Sequence, residues 1–135
     1  MHGLGYFPNV WWLDVEAPCH YPGSGGPLWR CASPTDPTQI GSNARVVQGA
    51  IDGLRASGVI PGIYSTYLQF PDAVGPSYAP GTPIWIAGAS DVANAAAYCA
   101  DTTKRFAGGR PWLVQYGFAP APQPTWDPDY ACPLS

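Results

Sequence analysis

Four segments of the chain are apolar, rich in aromatic and branched residues, and short enough to be single strands. Runs of this kind are typical of strands that are buried in a sheet. A further short strand is predicted around 125–130, which gives about five strands in all. The four main segments are 10–16, 59–66, 82–88 and 111–117.

The segments between these strands are predicted to include helices. Ser42 or Asn43 is placed to cap a helix in which apolar residues recur with the 3.6-residue period. Gly58 stands in the C′ position that commonly ends a helix. A short helix or turn is expected over 67–74.

A second long helix, rich in alanine, is predicted from Ser90 to about Phe106 and ended by Gly108-Gly109. Strands and helices that alternate in this way are typical of βα units on a parallel sheet. A closed barrel of eight such units usually has about 250 residues and at least about 200, whereas this chain has 135. We therefore expect one α/β domain over 1–135, a partial (β/α) barrel of about five mostly parallel strands with an open side.

The composition of the chain limits the classes of molecule that it is expected to bind. Charged residues make up 11% of the chain, against about 25% in typical soluble domains, and the net charge is −3. The six Lys and Arg are scattered and form no basic patch, so nucleic acid is not an expected partner. No stretch of about 18 apolar residues could span a membrane. Low charge with 17 Pro, 16 Gly and 6 Trp fits an extracellular protein, in which some aromatic rings could stack on sugars.

Four cysteines allow three pairings, among which the sequence does not choose. We favour Cys19–Cys31, which brackets a Gly/Pro-rich loop, and Cys99–Cys132, and with them an oxidising compartment. The cysteine and histidine spacings do not fit a zinc site, so no metal is expected. No signal peptide is present, which predicts that the start of the natural chain is missing.

The first strand ends in two acids, Asp14 and Glu16, and alternation places both on one face with Trp12. Two carboxylates at the end of a buried strand cost free energy unless something uses or pairs them. Parallel sheets place ligands and catalytic groups at this edge. The acids are therefore either catalytic or a structural pair held by backbone amides or an arginine.

Five short motifs follow one another along residues 10–132. They are Asp14-Val15-Glu16, Gly62-Ile63-Tyr64-Ser65, Trp85-Ile86-Ala87, Val114-Gln115-Tyr116 and Asp127-Pro128-Asp129. In this order they resemble the motifs of glycoside hydrolase family 25, the bacterial and phage muramidases. The resemblance is greater to a branch of glycoside-hydrolase-like domains in exported bacterial proteins. That branch favours Trp-Trp-Leu-Asp-Val-Glu at the first motif and a Gln-Gly-Ala-hydrophobic-Asp helix, here 48–52.

The chain departs from the family in three places. The family's first strand, which carries another active-site aspartate, has no counterpart before Trp11. The tryptophan that precedes the family's glutamine is displaced to Trp112, upstream of Gln115, and the final asparagine is Asp129. The resemblance thus implies a barrel that lacks its N-terminal strands, in an N-terminally incomplete domain.

The resemblance also implies a retaining glycosidase, substrate-assisted or not, that needs no cofactor. Such an enzyme uses one protonated and one ionised carboxyl group, and two acids on one strand face separate their pKa values. Glu16 would be the general acid/base and Asp14 the charged partner. Tyr64, Trp85, Gln115 and Asp127 are candidate substrate contacts; each could instead be structural, the two rings in the barrel interior and the two polar groups in hydrogen bonds.

Two functions from different classes follow. The first is a peptidoglycan (N-acetylmuramide) glycosidase of the lysozyme type, or its C-terminal half. The second is a non-catalytic wall-binding or structural relative that has lost turnover. The missing aspartate favours the second for this chain, whereas Asp14, Glu16 and Tyr64 favour the first for a complete parent. In both, the protein is secreted or associated with the cell wall, and its partner is peptidoglycan or a related polysaccharide.

Overall fold

A computed structural model describes residues 9–16, 37–117 and 127–134. These residues form an α/β structure with one five-stranded sheet and three α-helices. The strands are β1 (Val10–Asp14), β2 (Ile60–Ser65), β3 (Ile84–Ala89), β4 (Pro111–Tyr116) and β5 (Asp129–Ala131). The helices are α1 (Pro37–Ala56), α2 (Gln69–Val74) and α3 (Val92–Ala100), and a 3₁₀ turn (Thr102–Lys104) follows α3.

The strands lie in the sheet in chain order, β1-β2-β3-β4-β5. The first four are parallel, and β5 runs antiparallel to β4. Among the described residues β1 and β5 each have a single neighbour, so the sheet is open. The expected α/β class and the mostly parallel sheet of five strands are confirmed.

The hydrophobic core lies on one face of this sheet. Ile63, Ile84 and Val114 point to that face from neighbouring strands and are completely buried. Ile51 of α1 and Phe70 of α2 cover them. Burial of each such side chain contributes roughly 1.5–3 kcal/mol to the free energy of folding. Packing on this face therefore holds the helices against the sheet.

Helix α1 begins earlier than its sequence predicts. It starts at Pro37, a residue type suited to a first helical position because the missing N–H would have no partner there. The predicted cap at Ser42 or Asn43 is wrong: Asn43 is buried inside the helix and donates a hydrogen bond from Nδ2 to the Ala73 carbonyl of α2, at 2.8 Å. The predicted end is confirmed, since Gly58 has φ +79° and its N–H bonds the Arg55 carbonyl at 3.0 Å.

Helix α3 ends earlier than predicted, at Ala100 rather than near Phe106. Asp101 causes this, because its carboxylate accepts hydrogen bonds from both the backbone N–H and the hydroxyl of Thr103, at 2.9 and 2.7 Å. An aspartate that binds nearby backbone in this way competes with the helix. The chain then turns once as a 3₁₀ helix before it reaches Gly108-Gly109.

A disulfide joins α3 to the segment after β5. Cys99 and Cys132 are bonded with a Cα–Cα distance of 5.5 Å, which confirms that pairing. Cys19 and Cys31 lie outside the described residues. In the described ranges no helix has the length and apolar character needed to cross a membrane.

Candidate functional site

The face of the sheet opposite the core carries aromatic and acidic side chains, and we call it the aromatic–acidic face. Strand register and side-chain alternation place its members side by side on successive strands. They are Trp12, Asp14, Glu16, Tyr64, Trp85, Leu113, Gln115 and Asp129.

Val15 fixes the direction of the two acids at the end of β1. Its side chain is 1% exposed and lies in the core, so the side chains before and after it point to the opposite face. Its backbone N–H bonds the Tyr64 carbonyl at 3.0 Å, and its carbonyl accepts a hydrogen bond from the Ser65 hydroxyl. These bonds hold Asp14 and Glu16 beside the C-terminal end of β2.

Three rings form a cluster beside these acids. The centroid of the Trp85 ring lies 4.8 Å from that of Tyr64 and 5.7 Å from that of Trp12. Both pairs meet edge to face, with an angle of 67° between the ring planes. This geometry is favourable for aromatic pairs. The Trp12 indole rests directly on Gly62, where an added Cβ would overlap the ring. All three rings are partly exposed, so they present apolar surface to solvent.

Two hydrogen bonds tie this cluster to the far strands. The Tyr64 hydroxyl donates to Gln115 Oε1 at 2.7 Å, and Trp85 Nε1–H donates to Asp129 Oδ1 at 2.7 Å. The first bond leaves Gln115 Nε2 without a partner in the part of the chain that the structure describes. A free amide donor therefore lies next to the rings.

The electrostatics of the face follow from partial desolvation of several acids whose side chains remain exposed to solvent. Burial raises the pKa of Asp14, and burial together with the Asp14 charge raises the pKa of Glu16. Burial and then the charges of Glu16 and Asp14 raise the pKa of Tyr64 to about 12, so its hydroxyl stays protonated. Neither Asp14 nor Glu16 has a hydrogen bond or a cation partner among the described residues. The described residues therefore supply neither an amide nor an arginine that would hold the two acids as a structural pair.

Of the predicted site residues, the structure brings five together: Asp14, Glu16, Tyr64, Trp85 and Gln115. Asp127 lies at the margin, exposed before β5, where its charge raises the pKa of Tyr64 and of Asp129.

Asp129 lies closer to the rings than Asp127 but was not predicted as a site residue. Its spacing of two from Asp127 is the signal that could have found it, since alternation puts both on one side of a strand. Burial raises the pKa of Asp129, and the hydrogen bond from Trp85 opposes that effect. The site therefore has acids on both sides of its aromatic cluster.

In the described ranges no group of three or more His, Cys, Asp or Glu side chains is arranged to hold a metal ion. Comparison of the chain with protein-family models, curated proteins and solved structures finds no match. The geometry of the face and the motifs of the sequence therefore carry the functional argument.

Proposed function

We propose that the aromatic–acidic face is the saccharide site of a secreted bacterial peptidoglycan glycosidase of the lysozyme type. The observation that carries this proposal is the meeting of two carboxyl groups with partly exposed aromatic rings and an amide donor, where neither the carboxyl groups nor the donor has a partner among the described residues. Within this proposal the open sheet corresponds to five strands of a larger (β/α) barrel. The Cys99–Cys132 disulfide supports a location outside the cell.

Glu16 is the group suited to proton transfer. Its pKa is raised by burial and by the Asp14 charge, so it holds its proton at a higher pH than a solvent-exposed glutamate. In the proposed reaction Glu16 gives that proton to the glycosidic oxygen as the bond from oxygen to the anomeric carbon breaks. The ionised Glu16 then takes a proton from the water that attacks the same carbon.

Asp14 is the charged partner in this reaction. A carboxylate close to the anomeric carbon stabilises the positive charge that develops there, either directly or by orienting the neighbouring acetamido group of the substrate. Its position two residues before Glu16 on the same face places both groups on one side of a bound sugar.

The rings and the amide would hold the sugar. The apolar face of a pyranose ring packs on an aromatic ring, and Trp12 and Trp85 offer partly exposed indoles for that contact. Gln115 Nε2 can donate to an acetamido carbonyl or a hydroxyl group, and the Tyr64 oxygen can accept from one.

A second candidate is a wall-binding relative without turnover. The open sheet favours it, because in the described structure nothing beyond β1 faces the two acids from the other side. A cleft with one wall excludes water poorly, and electrostatic stabilisation weakens where water enters. On this ground we expect the 135-residue chain alone to bind saccharide but to hydrolyse little.

Dye release from labelled peptidoglycan tests the two candidates. We expect Glu16→Gln to abolish any hydrolysis that the protein shows, because an amide cannot donate the proton, while Asp72→Asn, on the exposed side of α2, leaves it unchanged. Binding of insoluble peptidoglycan without hydrolysis by any form would favour the second candidate. Full hydrolysis by the Glu16→Gln variant would contradict the assigned mechanism.

A further inference from the structure

Trp85 has a fixed orientation in the aromatic–acidic face, and its polar edge determines that orientation. The ring meets those of Tyr64 and Trp12 edge to face, and such contacts depend on the plane of the indole rather than on which of its edges carries the N–H. A 180° turn of the ring would carry Nε1 away from β5. The 2.7 Å hydrogen bond to Asp129 Oδ1 is therefore the contact that selects one orientation.

Asp129 is itself held firmly. It opens β5 opposite Gln115, and the Tyr116 N–H bonds the Pro128 carbonyl immediately before it at 3.0 Å. Three residues after Asp129, Cys132 donates its N–H to the Trp112 carbonyl at 2.9 Å and forms the disulfide to α3. A strand of three residues is short, so these anchors at both of its ends keep the carboxylate in place.

We propose that Asp129 is a positioning residue that holds the Trp85 indole as a sugar-binding platform without touching the sugar itself. This inference rests on the proposed function and deepens it, since it assigns a positioning role to an acid that was not among the predicted site residues. What the task needs is an acceptor oxygen at this position, which the carboxylate supplies and which an amide oxygen could also supply. Because Oδ1 accepts from the indole, Asp129 acts through Trp85.

The first test measures the indole directly. In the ¹H–¹⁵N spectrum, the Trp85 side-chain N–H is assigned by its loss in Trp85→Phe. We expect Asp129→Ala to shift this resonance upfield and to speed its exchange with water, whereas Asp129→Asn, which keeps an acceptor oxygen, leaves both nearly unchanged. An unmoved resonance in Asp129→Ala would overturn the inference, whether or not any sugar binds.

The second test is a double-mutant cycle on binding. The probe is the soluble tetrasaccharide of alternating N-acetylglucosamine and N-acetylmuramic acid, titrated by calorimetry. We expect Asp129→Ala to weaken its Kd about five- to ten-fold, the effect of about one lost hydrogen bond. Asp129→Asn should stay within about two-fold of the unmodified protein, and Asp129→Ala should add almost nothing in the Trp85→Phe background.

The outcomes separate this inference from the proposed function. Equal losses in Asp129→Ala and Asp129→Asn, or additive losses in the cycle, would show that the Asp129 charge meets the sugar directly and would overturn the positioning role. If the unmodified protein does not bind the tetrasaccharide, the proposed function fails, and the indole resonance still decides how Trp85 is held. If Asp129→Ala unfolds part of the chain, Asp129→Val, which also lacks the acceptor and has a higher strand propensity, replaces it in both tests.

Discussion

Gly62 provides a sharp test of how the aromatic cluster is built. Its backbone lies directly beneath the Trp12 indole, and a Cβ added there would overlap two carbons of the six-membered part of that ring. Gly62→Ala must therefore displace Trp12 or bend β2 against β1, which pairs with it at this position. Overpacking of this kind costs roughly 1–3 kcal/mol in the free energy of unfolding.

A matched glycine in α1 should respond with the opposite sign. Gly53 lies in the exposed part of the helix, where an added Cβ would meet no atom within 4 Å. Gly53→Ala should therefore stabilise the protein by about 0.5–1 kcal/mol, because alanine loses less conformational freedom than glycine in a helix. Urea denaturation of the two variants in parallel measures both changes with the same chemical substitution.

A second background shows whether Trp12 is the cause. With Trp12→Ala, the space above Gly62 opens, and Gly62→Ala should lose most of its cost. If Gly62→Ala lowers the free energy of unfolding equally with and without the indole, the claim that Trp12 requires a glycine at position 62 is refuted. The same follows if the Gly62→Ala protein is as stable as the Gly53→Ala protein.

Three further predictions follow from the same structure. Replacing both Cys99 and Cys132 by alanine should lower the free energy of unfolding by roughly 3–4 kcal/mol in the chain-entropy model, measured by urea denaturation without reductant; reduction of the unmodified protein should cost at least as much, because it would also break the predicted Cys19–Cys31 bond, and a smaller loss would contradict the assignment. Because burial raises the folded-state pKa of Asp14, its contribution to stability is present below its unfolded pKa and is lost as the pH rises through the folded value. Asp14→Asn should thus stabilise the protein at neutral pH and not at about pH 3, and the reverse order of thermal midpoints would contradict this. Tyr64→Phe removes the bond to Gln115 and should cost about 0.5–1.5 kcal/mol; no change in urea denaturation would show that the bond contributes nothing.

Local pattern was sufficient to predict the strands and the direction of the acids. Alternation along β1 put Asp14 and Glu16 on one face, and the burial of Val15 between them is the physical reason the expectation holds. Tyr64 was named as a candidate from the family resemblance, and strand register places it beside Asp14. The hydrophobic period of each segment predicted whether it is a strand or a helix. The alternation of strands and helices along the chain then predicted the α/β class.

What the sequence did not predict depends on partners distant along the chain. Asn43 has a residue type that caps helices, but its amide bonds the Ala73 carbonyl thirty residues away, so the helix continues toward Pro37. The spacing of Asp129 from Asp127 was a local signal, but the hydrogen bond to Trp85 depends on the antiparallel pairing of β5 to β4, which brings β5 near β3. A contact between residues so far apart in the sequence has no signature in a window of a few residues.

One measurement tests the central claim directly: titration of the 135-residue chain with the soluble peptidoglycan tetrasaccharide, followed through the indole N–H resonances of its six tryptophans. If the aromatic–acidic face is the saccharide site, the resonances of Trp12 and Trp85, each assigned by its phenylalanine variant, should move together and saturate at one Kd. Saturable binding that leaves both resonances unmoved would contradict the assignment, and so would the absence of any saturable shift.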